Sequence, residues 1–477
     1  MANTWAFLAT FYDYFVLIYF FVIDFTYLFL LVVALREILL YLRKNRFVNY
    51  QHILQSEFAT PISILAPAYN EETNIIESIQ SLMMLNYAKY EIVVINDGSK
   101  DGTLKKLIDF FQLKKLSYVY NVSIPTKPVH GIYRSPLPAY NRLVVIDKEN
   151  GGKADALNAG INVAKYPLVC SIDADSLLEQ DALLKVVKPF LENPRRMVAT
   201  GGIVRIVNGC TVERGNVTDI RLSKKWIPTF QVVEYLRAFL SGRMGWTAMN
   251  GLLVISGAFG LFRKSALIEV GGYNTNTVGE DMELVVRLHK FMHREKRDYR
   301  IGFVPDPVCW TEAPESVRNL SRQRNRWHRG LIDTLRIHKD LFFNPKYGVV
   351  GMMSFPYFAL FELIGPIIEA TGIIFVTISF ILGNVNFPFF AMFLVLAIVY
   401  GVFLSVGAVL LEEYSFHRYP RPLDLFRLLL FSVIENFGYR QMTAWWRVKA
   451  FYDYFRGVKS WGAMTRVGFE KKNEAKV

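Results

Sequence analysis

From Met1 to Leu35 the chain carries no Lys or Arg, and most positions are aromatic or aliphatic. A helix needs about 20 apolar residues to cross a bilayer core. The stretch from Phe15 to Leu35, interrupted only by Asp24, supplies them. It has neither the basic leading region nor the small-residue cleavage site of a signal peptide. Arg36, Arg43, Lys44 and Arg46 follow at once, so the positive-inside rule puts that end in the cytoplasm and the N-terminus outside. A second apolar region runs from Tyr347 to Leu382, and its early Pro356, Gly365 and Pro366 leave room for an interfacial helix before the span. The uncharged link Gly383–Asn386 suits an external turn. Phe387 to Leu411 then returns toward a loop with Arg418 and Arg421, which agrees on orientation. From Leu423 to Phe455 apolar residues mix with Glu435, Arg440, Arg447 and Lys449. That segment reads as amphipathic and membrane-surface, with a short hairpin as the alternative and a basic tail after it. The expectation is a multi-pass protein of the plasma (inner) membrane, divided at 1–44, 45–344, 345–422 and 423–477.

Composition sharpens this. Of 477 residues, 52% are hydrophobic, which excludes a disordered chain. Three cysteines exclude a disulfide-built scaffold, and without C-x-x-C pairs or nearby histidines they argue against zinc and fit a reducing compartment. The net charge of +13 alone would suggest nucleic acid. No basic-aromatic module accompanies it, so no nucleic-acid partner is expected. Much of the positive charge flanks the cytoplasmic ends of the apolar segments instead.

Between the membrane regions, residues 45–344 have ordinary globular composition. Apolar, β-branched runs at Ile62–Ala66, Glu91–Ile95, Leu143–Ile146, Leu168–Ile172 and Met197–Val204 alternate with helical patterns at Glu71–Leu85, Gly102–Lys114 and Lys153–Ala164. That alternation predicts an α/β domain with a mostly parallel sheet, in which ligands collect beyond the carboxyl ends of the strands. Polar motifs stand there: Asn70-Glu71-Glu72 after the first strand, Asn96-Asp97-Gly98-Ser99 after the second, Asp173-Ala174-Asp175 after the fourth. The Pro-rich, basic stretch Asn121–Arg142 reads as a surface loop.

Each motif has a plain reading and a chemical one. Asp173-Ala174-Asp175 is either a solvated turn or a pair of carboxylates, one for a hard cation and one for sugar or ribose hydroxyls. Asn96–Gly102 is a tight turn before a helix, or it presents Asp97 to a nucleoside. Gly151-Gly152-Lys153 is a loop, or a helix N-terminus and an ammonium offered to a phosphate. Gly279-Glu280-Asp281 complements a helix dipole, or it supplies a general base. Gln323-Arg324-Asn325-Arg326-Trp327 is a juxtamembrane amphipathic helix, or it combines an amide, a diphosphate-gripping guanidinium and an indole on which a sugar can stack.

Taken in order, N-D-G-S at 96–99, D-A-D at 173–175, S-G-A-F at 256–259, G-E-D at 279–281 and Q-R-N-R-W at 323–327 resemble the processive membrane synthases of glycosyltransferase family 2. These make cellulose, chitin, hyaluronan and poly-N-acetylglucosamine, and the last are most similar in motif. The x-E-D with Q-x-x-R-W is the specific part; N-D-G-S and D-x-D are shared with nonprocessive relatives, and Asn96 departs from the commoner D-D-G-S.

The resemblance implies a GT-A, Rossmann-like domain flanked by transmembrane helices. Its activity would be inverting, processive polymerisation of UDP-GlcNAc or UDP-glucose coupled to secretion. It implies donor contacts from Asn70, Glu71, Asp97, Lys153 and Asp173, and Mg²⁺ or Mn²⁺ on Asp175. Asp281 would be the base, and Glu280, Gln323, Arg326 and Trp327 would serve the acceptor and diphosphate. The expected partners are a UDP-sugar, a growing polysaccharide and the bilayer. Three spans are few for a polysaccharide channel, which asks for an accessory membrane subunit or self-association. Two other readings compete: a nonprocessive transferase acting on a membrane lipid, and a transporter with a regulatory domain, which leaves the ordered motifs unexplained.

Overall fold

The computed structural model describes residues 2–46, 59–117, 119–174, 176–213, 215–383 and 386–458. The chain opens with α1 (Ala2–Asn45), whose 44 residues extend about 66 Å at 1.5 Å per residue. That exceeds a bilayer core of about 30 Å, so its far end reaches the globular domain. There Ala34 and Ile38 are buried, and Lys44 pairs with Glu192 at 2.9 Å.

Among the described residues the domain is built on a ten-stranded mixed sheet of order β3-β4-β5-β2-β1-β6-β11-β8-β12-β7, with β7 (Leu177–Leu178) at one edge, and β9 (Thr211–Glu213) and β10 (Asn216–Asp219) form a separate pair. At its centre β1 (Ile62–Ala68) lies parallel to β2 (Tyr90–Asp97) and to β6 (Leu168–Ile172), and β2 parallel to β5 (Leu143–Lys148). Their near-continuous apolar runs suit a sheet covered on both faces, and Ile62, Ile64, Ile92, Val94 and Val145 are fully buried. Beyond β6 the sheet turns mixed, with β11 (Phe259–Arg263) antiparallel to β6 and to β8 (Met197–Ile206), and β12 (Arg300–Thr311) parallel to β8. The strand-helix alternation therefore finds the parallel half correctly.

The helices α2 (Ile75–Met83), α3 (Thr103–Phe111) and α4 (Lys153–Val163) follow β1, β2 and β5. Residues Ala154 to Val163 of α4 are all buried. Its Gly160 lets it approach closely, since a Cβ there would meet Ile95 and Leu65 side chains at 3.0 and 3.1 Å. One reading needs correction. The stretch Asn121–Arg142 is not wholly loop, because β4 (Val129–Arg134) pairs antiparallel with β5, and β3 (Lys114–Leu116) with β4. Pro125, Pro128, Pro136 and Pro138 mask the strand between them.

The helix α5 (Ala182–Glu192) packs beside β8 and β12. The helix α6 (Trp226–Tyr235) runs through a π-turn segment, Leu236–Gly242, into α7 (Arg243–Ala248). Then come α8 (Glu280–Arg294) and α9 (Val317–Ile337). Close approach again uses glycine: a Cβ on Gly245 of α7 would fall 2.8 Å from the Leu30 carbonyl oxygen of α1. Among the described residues, three helices are long and apolar enough to cross a membrane: Thr10–Asn45 of α1, α10 (Val350–Ile381) and α11 (Phe387–Ser415). The segment after them forms α12 (Pro422–Ile434) and α13 (Tyr439–Phe455). Helix α13 lies along α9, where Asn325 bonds Asp453 at 2.8 Å.

Candidate active site

Parallel pairing sets the carboxyl ends of β5, β2, β1 and β6 side by side, so the loops that follow them meet. The motif after β1 is tied to the one after β2. Asn70, at φ 56°, accepts from Lys100 N at 2.8 Å. Glu71 N donates to Thr103 Oγ1 at 3.0 Å, and Glu72 Oε2 accepts from Gly102 N at 2.9 Å. A short polar side chain tolerates that left-handed backbone well.

Asp97 is buried, with both carboxylate oxygens engaged. Oδ1 accepts from Lys148 Nζ at 2.7 Å and Gly151 N at 3.0 Å, and Oδ2 from Gly152 N at 2.7 Å. Lys148 has no solvent exposure and also pairs with Asp155 at 2.6 Å. Asp97 thus holds the Gly151-Gly152-Lys153 turn against the end of β2. Lys148 was not singled out from the sequence, where it reads as a strand-end lysine.

Lys153 opens α4 and pairs with Asp173 at the end of β6; it also donates to the Gly257 carbonyl at 3.2 Å and lies 3.9 Å from Glu280. Burial works against its charge, but Asp173 and Glu280 outweigh burial and hold its pKa above the ordinary lysine value. Gly257, in the S-G-A-F motif, is the pivot. Its N–H donates to Asp281 Oδ2 at 3.2 Å. A Cβ there would stand 2.8 Å from Lys153 Nζ. Asp281 Oδ1 accepts from Met282 N at 2.8 Å. Burial lifts the neighbouring Glu280 carboxyl to about 7, with Lys153 opposing and the charge of Asp281 adding to the lift.

The acceptor-side motif lies on α9, held against α8 by a glycine pair. A Cβ on Gly330 would fall 2.8 Å from Gly279 Cα. Two further ties join these elements: Thr277 to Asp333 at 3.2 Å, and Glu283 to His338 at 3.0 Å. Trp327 is 40% exposed, which leaves a face for stacking. Its other support is Arg324, whose guanidinium lies 4.3 Å from the indole centroid. Arg324 is buried, pairs with Glu234 of α6 at 2.7 Å, and donates to Gln323 Oε1 at 2.9 Å. Tyr439 of α13 donates to the same Glu234 carboxylate at 3.0 Å. Arg324 precedes Trp327 by three residues and so shares its helix face, but its pairing with Glu234 is a contact between elements that the sequence of one helix does not show.

All of this opens on one cavity of about 1630 Å³. Asn70, Glu71, Asp97, Lys153 and Asp173 line it together with Glu280, Asp281, Gln323, Arg326 and Trp327. It continues between the apolar helices past Tyr19, Asp24, Tyr27, Glu362, Glu369 and Arg440. Asp175 lies outside the described residues. Among the described residues no three His, Cys, Asp or Glu side chains gather as a metal cage. Asp173, its side chain 34% exposed, offers one carboxylate on the cavity wall. That set suits a hard cation which takes one or two carboxylates and completes its shell with phosphates.

A model described as "Glycosyl transferase family group 2" matches residues 168–404, and "Glycosyl transferase family 2" matches 63–123. A poly-beta-1,6-N-acetyl-D-glucosamine synthase of Staphylococcus epidermidis is 31% identical over 270 residues, which is 56% of this chain and 54% of that protein. One from Staphylococcus aureus is 30% identical over the same coverage. The chain spans about half the length of the curated relatives it matches. Among solved structures, a Pyrobaculum calidifontis mannosyltransferase in complex with GDP-Man and Mn2+ is 17% identical, with a TM-score of 0.46, covering 88% of this chain and 99% of that one. S. aureus TarS in complex with UDP-GlcNAc is 15% identical, with a TM-score of 0.37, covering 80% and 92%.

Proposed function

From the premise that this chain carries glycosyltransferase family 2 domains, with homologues that are poly-N-acetylglucosamine synthases, we propose that it is an inverting, processive β-glycosyltransferase of the plasma (inner) membrane. It would polymerise UDP-GlcNAc or UDP-glucose at a cytoplasmic active site, with its N-terminus outside, and pass the polysaccharide outward. The observation that carries this reading is the single cavity. The donor-side carboxylates, Asp281, Arg326 and Trp327 line the same space as Asp24, Tyr27 and Glu369 of the apolar helices. A hydrophilic chain cannot cross hydrocarbon unaided, and a cavity that begins at the chemistry and runs between those helices suits its exit.

In the mechanism, the loops after β1, β2 and β5 receive the nucleoside, with Asp97 fixing the Gly151–Lys153 turn beneath it. Lys153 and Arg326 set cations where the diphosphate's charge grows as it departs. Asp175 would hold Mg²⁺ or Mn²⁺, which would supply further neutralisation of that leaving group, while Asp173, paired with Lys153, would contact the donor. Asp281 takes the proton from the acceptor hydroxyl as its oxygen attacks the anomeric carbon from the face opposite UDP. Trp327 is the floor for the terminal sugar; an apolar floor lets a polymer advance by one unit, where a dense hydrogen-bond cage would hold it. Glu280, beside Lys153 and Asp281, tunes both. The three apolar helices leave a lone chain poorly enclosed, so the reading includes an accessory membrane subunit or self-association.

The test is polymer formation by the purified full chain with UDP-sugars, sized on a gel. Asp281→Asn should abolish polymer while UDP binding stays within about twofold. Polymerisation by this variant at the wild-type rate refutes the base assignment, and a product carrying a single added sugar refutes processivity.

A further inference from the structure

Arg243 opens α7 on the wall of the cavity. It is 7% exposed, its guanidinium lies 3.9 Å from the Phe239 ring centroid and 5.6 Å from that of Phe303, and its buried Nη1 has no hydrogen-bond partner among the described residues. Other arginines of this wall are engaged: Arg324 by Glu234, Arg237 by Glu435, Arg447 by Glu362. Two residues before Arg243, Ser241 Oγ lines the same cavity and is likewise buried without a partner. Burial draws the Arg243 pKa down to about 10, and the charge of Asp281 opposes that fall. The guanidinium and the proposed base, Asp281, line the same cavity.

A line of rings runs from Arg243 to the stacking platform. Phe239 meets Tyr235 at 4.4 Å between centroids, and Tyr235 faces Trp327 at 6.5 Å. A guanidinium has donors and no acceptor, so what it binds must accept. A buried donor without a partner costs stability, and a ligand oxygen would recover that cost. The anionic diphosphate is assigned to Lys153 and Arg326 in the proposed function, so the ligand oxygen left for Arg243 is a neutral one such as a carbonyl, and the Phe239 ring beside it suits a methyl group. An N-acyl substituent on a sugar combines those two parts.

We propose that Arg243 determines acceptor specificity by donating to the carbonyl oxygen of the N-acyl group on the sugar at the growing end, with the acyl methyl against Phe239. This rests on the reading of the site as a sugar polymerase and names its substrate class, an N-acetylhexosamine polymer. The test uses the full-length protein with UDP-GlcNAc. The acceptors are an N-acetylated hexosamine oligosaccharide and its de-N-acetylated counterpart, in the linkage the enzyme makes. Wild type should favour the N-acetylated acceptor, since a charge-assisted hydrogen bond changes affinity by roughly 10- to 100-fold. Arg243→Met should lose that preference: kcat/KM for the N-acetylated acceptor falls by that factor, while the de-N-acetylated acceptor and the KM for UDP-GlcNAc are unchanged. Arg243→Lys, which keeps the charge in a smaller perturbation, should retain part of the preference. An equal fall with both acceptors in either variant makes Arg243 a packing residue and overturns the proposal, as does an unchanged preference. Failure of wild type to extend any acceptor overturns the polymerase reading itself, a separate result.

Discussion

Gly330 lies inside α9, where glycine costs about 1 kcal/mol relative to alanine. Gly330→Ala would therefore raise intrinsic helix stability, and helix propensity alone predicts a benign variant. Packing predicts the reverse. The new Cβ would stand 2.8 Å from Gly279 Cα, 3.0 Å from Gly279 N and 3.4 Å from the Val278 carbonyl carbon. These are backbone atoms, so no rotamer change relieves the clash. Ordinary carbon contacts are about 3.5–4.0 Å, so α8 and α9 must part by roughly 1 Å. Gly279 is two residues before Asp281, and Gly330 is one turn from Arg326 and Trp327, so the proposed base moves away from the acceptor platform. A shift of that size costs about 100-fold in rate, and the overpacking should remove about 1–3 kcal/mol of stability. The donor groups after β2 and β6 and on α4 lie outside this contact, and Arg326 alone of the diphosphate groups moves with α9, so UDP affinity should fall much less than turnover. The assays are UDP release for turnover, calorimetric titration with UDP, and thermal unfolding. Gly372→Ala is the control, because a Cβ there meets nothing within 4 Å. Wild-type turnover in Gly330→Ala refutes the argument, as does an equal loss of UDP affinity.

Two more predictions concern buried charge. Lys148→Met leaves Asp97 and Asp155 without their shared cation; breaking a buried pair from one side costs about 3–5 kcal/mol. Denaturant unfolding should show that loss, and UDP titration should show weaker donor binding, with Lys148→Arg closer to wild type. Glu280 has a folded-state pKa of about 7 against an ordinary 4.5. The folded state thus binds more protons than the unfolded one between those values, and stability falls as pH rises through that window. Glu280→Gln should remove that part of the decline in unfolding measured from pH 4.5 to 8. An identical pH slope in wild type and variant would assign the decline to other groups.

The parallel half of the sheet was legible because Ile62–Ala68, Tyr90–Asp97 and Leu168–Ile172 are buried on both faces, and such strands write themselves as near-continuous apolar runs. The strand Val129–Arg134 was hidden because it lies next to the edge, covered on its outer side only by the three exposed residues Lys114–Leu116, and so tolerates His130, Gly131 and Arg134 among prolines. The apolar spans stood out by length, yet the charged C-terminal segment did not declare its role. Its arginines and acids face protein: Arg447 bonds His328 of α9 at 3.3 Å and Glu362 of α10 at 3.0 Å.

The site divides in the same way. The carboxylates and the indole stand out in the sequence because polar motifs follow apolar strands or open helices, and Asp97, Asp173, Glu280, Asp281 and Trp327 line one cavity. The residues that position them do not stand out, because each has an ordinary local meaning. Lys148 ends a strand, Arg324 looks like one more basic residue in a basic helix, and Gly330 looks like a weak point. Their roles exist only between elements: Lys148 joins β5 to β2 and α4, Arg324 joins α9 to α6, and Gly330 joins α9 to α8. A sequence motif states which atoms do the work along one element. The contacts that hold two motifs at a working distance belong to pairs of elements remote in the chain, and Gly279 with Gly330 is the clearest such pair because each glycine is there for the backbone of the other.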